Sequence, residues 1–183
     1  MRFAICEYGA GNVRSVELAF TRLGATRTDD VRVADLAILP GVGSARAAMA
    51  GLRSRGHDVA LRERVVAGRP VFGICLGLQL ALDWTAEDDG VDGLGLLRGR
   101  SLRLKEGRVP RMGWAEVDDR GAFYFAHSYA ASTPAASAWS EGVVAEVRAG
   151  SFLGCQFHPE KSGEVGARYL AGVLEEARSL SLA

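Results

Sequence analysis

The sequence carries no surplus of either charge: Lys plus Arg and Asp plus Glu both number 22 in 183 residues. That balance gives no bulk attraction to nucleic acid or to an anionic membrane surface. Cysteine is scarce. Cys6, Cys75 and Cys155 are an odd number without paired spacing, so neither a disulfide framework nor a metal site is expected. No apolar run approaches a membrane span before Gly, Gln or Pro interrupts it. The opening MRFAICEYG reaches glycine too soon for the apolar stretch of a signal peptide. A reducing, cytoplasmic setting is expected.

What is present is globular. Hydrophobic residues make up 48% and charged residues 24%, a composition without a disorder signature. A chain of this length buries roughly 70% of its unfolded surface. No repeat, low-complexity tract or linker divides it, so residues 1–183 are expected to form one domain.

The first two thirds alternate strand and helix signals. RFAIC reads as a strand, followed by a helix that offers Val13, Val16, Leu18, Ala19 and Leu23 for burial and stops at Gly24. DLAILP reads as a second strand running into GVGSA. Residues 45–67 read as helix, broken near Gly56 and ended by Gly68, and PVFGI as a third strand that opens into another helix through LGLQLALDW. Such alternation predicts an α/β fold with a mostly parallel central sheet covered by helices on both faces. From about residue 100 the short segments SLRLK, MGWAEV, AFYFAHSYA, GVVAEVRAG and SFLGCQF predict an antiparallel extension of that sheet. GEVGARYLAGVLEEARSL closes the chain as an amphipathic helix.

Chemistry concentrates at GICLG, residues 73–77. Glycines two positions either side of Cys75 give the thiol form of a nucleophile elbow, a strained strand-to-helix turn that lifts its side chain above the sheet edge. A Cβ at Gly73 or Gly77 is expected to strike neighbouring backbone. A helix N-terminus favours thiolate over thiol, and the Leu76 amide points to where a substrate oxyanion would form. The plain alternative is a core cysteine with two packing glycines.

Three histidines are candidates for a base. His57 lies among charges in SRGHDVALRER and reads as a solvated helix residue, while His127 in YFAHSYA suits either core or pocket wall. His158 in QFHPEKSG is followed by Pro159, which biases it toward extended backbone. Residues i and i+2 of an extended chain project to one side, so the Glu160 carboxylate can reach the His158 imidazole. Base and orienter then lie within three residues, and Cys75 arrives from elsewhere in the fold. GAGNVR and GVGSAR each follow a strand, but each has Arg where a dinucleotide fingerprint needs its third glycine, so no cofactor is expected. The backbone of LPGVG reads instead as a source of oxyanion donors.

The elbow cysteine, PGVG and FHPE, in this order, resemble the class I glutamine amidotransferases, whose architecture is flavodoxin-like. YGAGNVRSV, LPGVGS, GICLGLQL, VPRMGW, YFAHSYA and QFHPEKSG resemble more narrowly the glutaminase subunits of imidazole glycerol phosphate synthase. The resemblance runs nearly end to end. It implies that Cys75 attacks the side-chain carboxamide of L-glutamine, His158 moves the proton and Glu160 holds His158. It further implies oxyanion stabilisation by the amides of Leu76 and, after a peptide in PGVG beside Gly43 reorients, Val42. Gln79, Glu87 and the backbone near Ser128 would bind the amino-acid head of the substrate. Ammonia would pass to a (β/α)8-barrel cyclase subunit, which makes imidazole glycerol phosphate and an aminoimidazole carboxamide ribotide. Asn12, Trp114, Tyr124 and Lys161 match positions that face that partner. The chain departs from the family pattern in Glu7, Arg111 and Ala115, where Asp, His and Asn are usual, and in a shorter segment after GWAEV. Two other readings stay open: a partner-independent hydrolase on this fold, and an inactive subunit that only scaffolds a barrel.

Overall fold

The computed structural model describes residues 1–9 and 12–182; Ala10 and Gly11 of the YGAGN stretch lie outside the described residues. In chain order, β1 (Arg2–Ile5) leads to α1 (Val13–Arg22), β2 (Thr26–Arg27), β3 (Leu36–Leu39), α2 (Ala45–Ser54), α3 (His57–Val66), β4 (Val71–Ile74) and α4 (Leu76–Ala81). Then follow β5 (Trp84–Thr85), β6 (Val91–Asp92), β7 (Arg100–Arg103), β8 (Arg111–Glu116), β9 (Ala122–His127) and β10 (Tyr129–Ser132). The chain closes with β11 (Ala136–Ser140), β12 (Val143–Ala149), β13 (Phe152–Cys155) and α5 (Gly163–Leu182).

The central sheet has seven strands in the order β11-β12-β13-β4-β3-β1-β2. β2, β1, β3, β4 and β13 run parallel, and β12 and β11 continue the sheet antiparallel. Strand residues alternate between two cores, as the period of two demands. Ala4, Ala37, Leu39 and Val71 pack with Met49, Leu52 and Leu61 of α2 and α3. Phe3, Ile5, Leu36, Ile38, Phe72 and Ile74 pack with Phe20 of α1 and Leu170, Val173 and Leu174 of α5. Burial on both faces explains why these strands read as unbroken apolar runs.

Three expectations are corrected. Leu18, expected inside, is 45% exposed, while Phe20 is fully buried; two residues on from buried Val16 is 200° around a helix, four residues on is the same face. The segments after residue 100 do not form one extension. β7 and β10 join β5 and β6 in a four-stranded sheet, β8 and β9 form a separate hairpin, and β13 pairs parallel with β4, which leaves β12 and β11 as the expected antiparallel extension. Alternation identifies a strand but not its partner. Finally, α4 stops at Ala81 instead of running to Trp84, and Leu82 is extended. Amides of Leu94, Gly95 and Leu96 take the carbonyls of Leu80, Leu82 and Ala81.

Strand order positions the candidate site. The carboxyl ends of β13, β4, β3 and β1 lie side by side, so the loops carrying His158, Cys75, Val42 and Tyr8 converge at one edge. That edge is where open parallel sheets bind ligands.

Candidate active site

β4 delivers Cys75 into the turn with φ +50° and ψ −108°, a region that costs a non-glycine residue roughly 1–3 kcal/mol. The amide of Cys75 donates to the Cys155 carbonyl of β13 at 2.7 Å, which fixes the strained residue to the sheet. Close packing closes the elbow. A Cβ on Gly77 would lie 2.0 Å from the Leu39 carbonyl oxygen, and one on Gly73 would lie 2.9 Å from the Leu78 amide. Both expected collisions are therefore present. Gly41 of the LPGVG stretch is as tight: its Cβ would lie 2.2 Å from the Ile74 carbonyl and 2.4 Å from the Leu76 and Gly77 amides. β3 and the elbow meet there backbone against backbone.

Beyond β13 the chain turns at Gln156-Phe157-His158. The His158 amide donates to the Tyr124 carbonyl at 2.8 Å, and the Ser162 hydroxyl donates to the His158 carbonyl at 2.7 Å. His158 Nδ1 donates to Glu160 Oε1 at 2.9 Å, with the two side chains 2% and 1% exposed. The expected contact is made by a different backbone, because Pro159–Lys161 is a 3-10 turn rather than extended chain. Burial disfavours the imidazolium, but hydrogen bonds to Cys75 and Glu160 and their charges outweigh it and raise the His158 pKa to about 9. With Nδ1 on the carboxylate, Nε2 is the nitrogen left for the thiol. Asn12, expected at a partner surface, donates its carboxamide to the same Glu160 oxygen at 3.2 Å.

Cys75 and His158 open onto a cavity of about 280 Å³, at the small end for ligand sites and suited to an amino acid. Val42, Gly43, Leu76 and Gln79 line it, as do Glu87, Ser128 and Lys161. Burial and repulsion from Asp88 raise the pKa of Glu87. The Asp88 carboxylate accepts from the Ser44 hydroxyl at 2.6 Å and the Arg46 amide at 2.9 Å, tying the Glu87 turn to the start of α2 beside Val42.

The Val42 amide is already engaged. It donates to the Tyr8 hydroxyl at 3.3 Å, while that hydroxyl donates to the Pro40 carbonyl at 2.9 Å. Burial pushes the Tyr8 phenol up to about 12, so it keeps its proton. Tyr8 was not singled out from the sequence; its place directly before the glycine turn after β1 was the only signal.

His127 is both buried and on the cavity wall. Burial lowers its pKa to about 4, against a hydrogen bond to the Tyr129 carbonyl and with help from the charges of Arg111 and His158. It is neutral at physiological pH. His57 heads α3, half-buried and away from this cavity. Trp114 is 59% and Met112 65% exposed. Trp114 meets Tyr124 edge to face at 6.2 Å, and the Lys161 ammonium lies 5.9 Å over the Tyr124 ring. Trp114 is thus no core residue, and the cluster rims the cavity mouth, where Met112 and Lys161 contribute to the lining. Cys155 is fully buried with its thiol pKa pushed well up, which makes it unreactive.

The three departures have structural partners. Glu7 pairs with Arg27, and Ala115 packs against the α1/α5 core. The Arg111 guanidinium stacks 4.3 Å over Phe125 and donates to the Ser140 hydroxyl at 2.7 Å.

Known proteins place the whole chain. A HisH subunit of imidazole glycerol phosphate synthase from Bacillus cereus is 38% identical over 98% of each chain. The subunit of the same name from Methanothermobacter thermautotrophicus is 39% identical over 96% of this chain and 99% of its own. A solved glutamine amidotransferase shares the fold with a TM-score of 0.77 at 22% identity, covering 97% of this chain and 98% of its own. Residues 8–176 match the family described as glutamine amidotransferase class-I. The chain belongs to the class-I glutamine amidotransferases, and within them to the family of the HisH subunits of imidazole glycerol phosphate synthase.

Proposed function

We propose that the chain hydrolyses glutamine to glutamate and ammonia through Cys75, His158 and Glu160, and passes the ammonia to a (β/α)8-barrel cyclase subunit in histidine biosynthesis. The observation that carries this reading is the elbow cysteine and buried His158 on one cavity, with His158 Nδ1 held by the Glu160 carboxylate at 2.9 Å.

Cys75 gives its proton to His158, whose raised pKa favours the imidazolium, and the Sγ thiolate attacks the side-chain carbonyl carbon of glutamine. Glu160 keeps the imidazole in the tautomer with its hydrogen on Nδ1, and Asn12 holds the carboxylate in place. The tetrahedral oxyanion is met by the Leu76 amide, which has no intrahelical acceptor at the first residue of α4. A second donor, the Val42 amide, becomes available once it leaves Tyr8; one such donor is worth roughly 3 kcal/mol of barrier. His158 returns the proton to the leaving nitrogen, which departs as ammonia. Water then adds to the thioester carbon, the C–S bond breaks with its electron pair on sulfur, and glutamate forms. Glu87, Gln79 and the backbone near Ser128 face the cavity where the amino-acid head would sit.

The barrel subunit would cover the rim formed by Met112, Trp114, Tyr124 and Lys161, an exposed aromatic and cationic cluster of the kind found at interfaces. Asn12 lies beneath that rim. No described helix is long and apolar enough to cross a membrane, which fits a cytoplasmic enzyme, and the continuous pair of cores supports one domain over 1–183. The test is Cys75→Ser: glutamine hydrolysis falls by about 10³-fold or more while binding to the barrel subunit is kept. Wild-type turnover in that variant would end the assignment.

A further inference from the structure

Behind the elbow lies a buried pair of glutamines. Gln156 is fully buried and Gln79 is 3% exposed. Gln79 Nε2 lies 2.7 Å from the Tyr129 carbonyl oxygen and 3.1 Å from Gln156 Oε1. Gln156 Nε2 lies 3.4 Å from Cys75 Sγ.

The hydrogen-bond polarity of this relay follows from its anchor. A main-chain carbonyl can only accept, so the Gln79 atom facing Tyr129 must be its amide nitrogen. The other hydrogen on that nitrogen points at Gln156, so Gln156 must answer with its oxygen. Its NH2 group is thereby forced to the far side, against the sulfur. The same carbonyl accepts from His127 Nδ1 at 2.9 Å, so the anchor is itself fixed by a second donor. Turning Gln156 over would place two NH2 groups face to face in the dry core and leave an oxygen against the sulfur.

We propose that Gln156 is a further catalytic residue, a buried donor to the Cys75 sulfur whose orientation is set by Gln79 and the Tyr129 carbonyl. Its N–H stabilises negative charge on sulfur at the two stages where that charge exists: when His158 has taken the thiol proton, and when the C–S bond of the thioester breaks. A hydrogen bond to a charged group is the strong kind, and Gln156, fully buried, supplies it from the core side of the sulfur. Because both amide hydrogens of Gln79 are committed, Gln79 offers a ligand only its acceptor oxygen, suited to the ammonium of an amino acid. This inference rests on Cys75 as the nucleophile.

The test reads the sulfur directly. Cys75 is alkylated with iodoacetamide across pH, and its peptide is followed by mass in wild type, Gln156→Met and Gln156→Glu. Gln156→Met keeps the length and removes the donor. It should alkylate about tenfold more slowly at neutral pH, with the profile moved about one unit up. Gln156→Glu keeps an acceptor for Gln79 and sets an anionic oxygen against the sulfur, so its profile should move the same way and further. In unsubstituted protein the Gln156 side-chain amide resonances should shift as Cys75 ionises, and not in Cys75→Ala; this needs no altered core. Unchanged alkylation in a folded variant, or amide resonances indifferent to Cys75, overturns the proposal. None of these readouts uses glutamine turnover, so failure of Gln156 and failure of the glutaminase reading stay distinguishable.

Discussion

The Val42 amide donates to the hydroxyl of Tyr8 at 3.3 Å, across the ends of two neighbouring strands. A donor needed at the oxyanion is therefore held by a buried phenol, itself pinned to the Pro40 carbonyl. A hydrogen bond of this kind is worth about 1 kcal/mol net, or about fivefold in an equilibrium. Tyr8→Phe should raise glutamine hydrolysis by the isolated chain about fivefold and leave the rate of the fully activated complex unchanged. An unaltered basal rate would show that Tyr8 does not restrain Val42.

Gly41 and Gly172 make a paired stability test. Alanine at Gly41 would bring a Cβ to 2.2 Å from the Ile74 carbonyl, whereas nothing lies within 4 Å of a Cβ at Gly172. Gly41→Ala should cost about 3 kcal/mol or more, lowering Tm by roughly 6–12 °C. Gly172→Ala, on an exposed turn of α5, should raise Tm by roughly 2 °C through helix propensity. Calorimetry of both variants reads the difference.

His127 makes the fold acid-sensitive. Its pKa is about 4 in the folded protein against an ordinary 6.5. Below pH 6.5 the unfolded chain takes up a proton that the folded chain refuses, so stability present above pH 6.5 is lost as pH falls toward 4. The full loss is about 3 kcal/mol. Urea midpoints at about pH 7 and about pH 4.5 should therefore fall less in His127→Gln than in wild type. His158 acts in the opposite sense. Its folded pKa of about 9 gives stability that is complete below pH 6.5 and is lost as pH rises through about 9.

The choice of base has its own comparison. His158→Asn should suppress glutamine hydrolysis by about 10³-fold, and His57→Ala should leave it within about twofold, since His57 stands apart from the cavity at the head of α3. The reverse order would refute His158 as the base.

Much of this was legible because glycine and proline punctuate the functional turns. Gly73 and Gly77 exposed the elbow, since close backbone packing demands glycine there; HPE marked the His158–Glu160 pair, although a 3-10 turn and not an extended chain joins them. Alternating strands and helices gave the parallel sheet for the same reason. The illegible parts depend on partners distant in sequence. Tyr8 acts on Val42, Gly41 packs on Ile74 and Leu76, and Gln156 meets Cys75 from 81 residues away. Nothing in the local pattern of QF shows that one residue faces sulfur. The strands after residue 100 were recognisable singly, but their distribution over three sheets is decided by packing rather than by alternation. Asn12 likewise read as an interface residue, and only the fold brings its carboxamide onto Glu160.

The most direct measurement is glutamate release from glutamine by the isolated chain, by its complex with the barrel cyclase, and by that complex with the cyclase's nucleotide substrate bound. Little release from the isolated chain and a large rise in the liganded complex is the predicted result, with the freed Val42 amide as the switch. Full activity in the isolated chain would contradict partner gating and identify an independent hydrolase. Silence in all three would contradict the catalytic account itself.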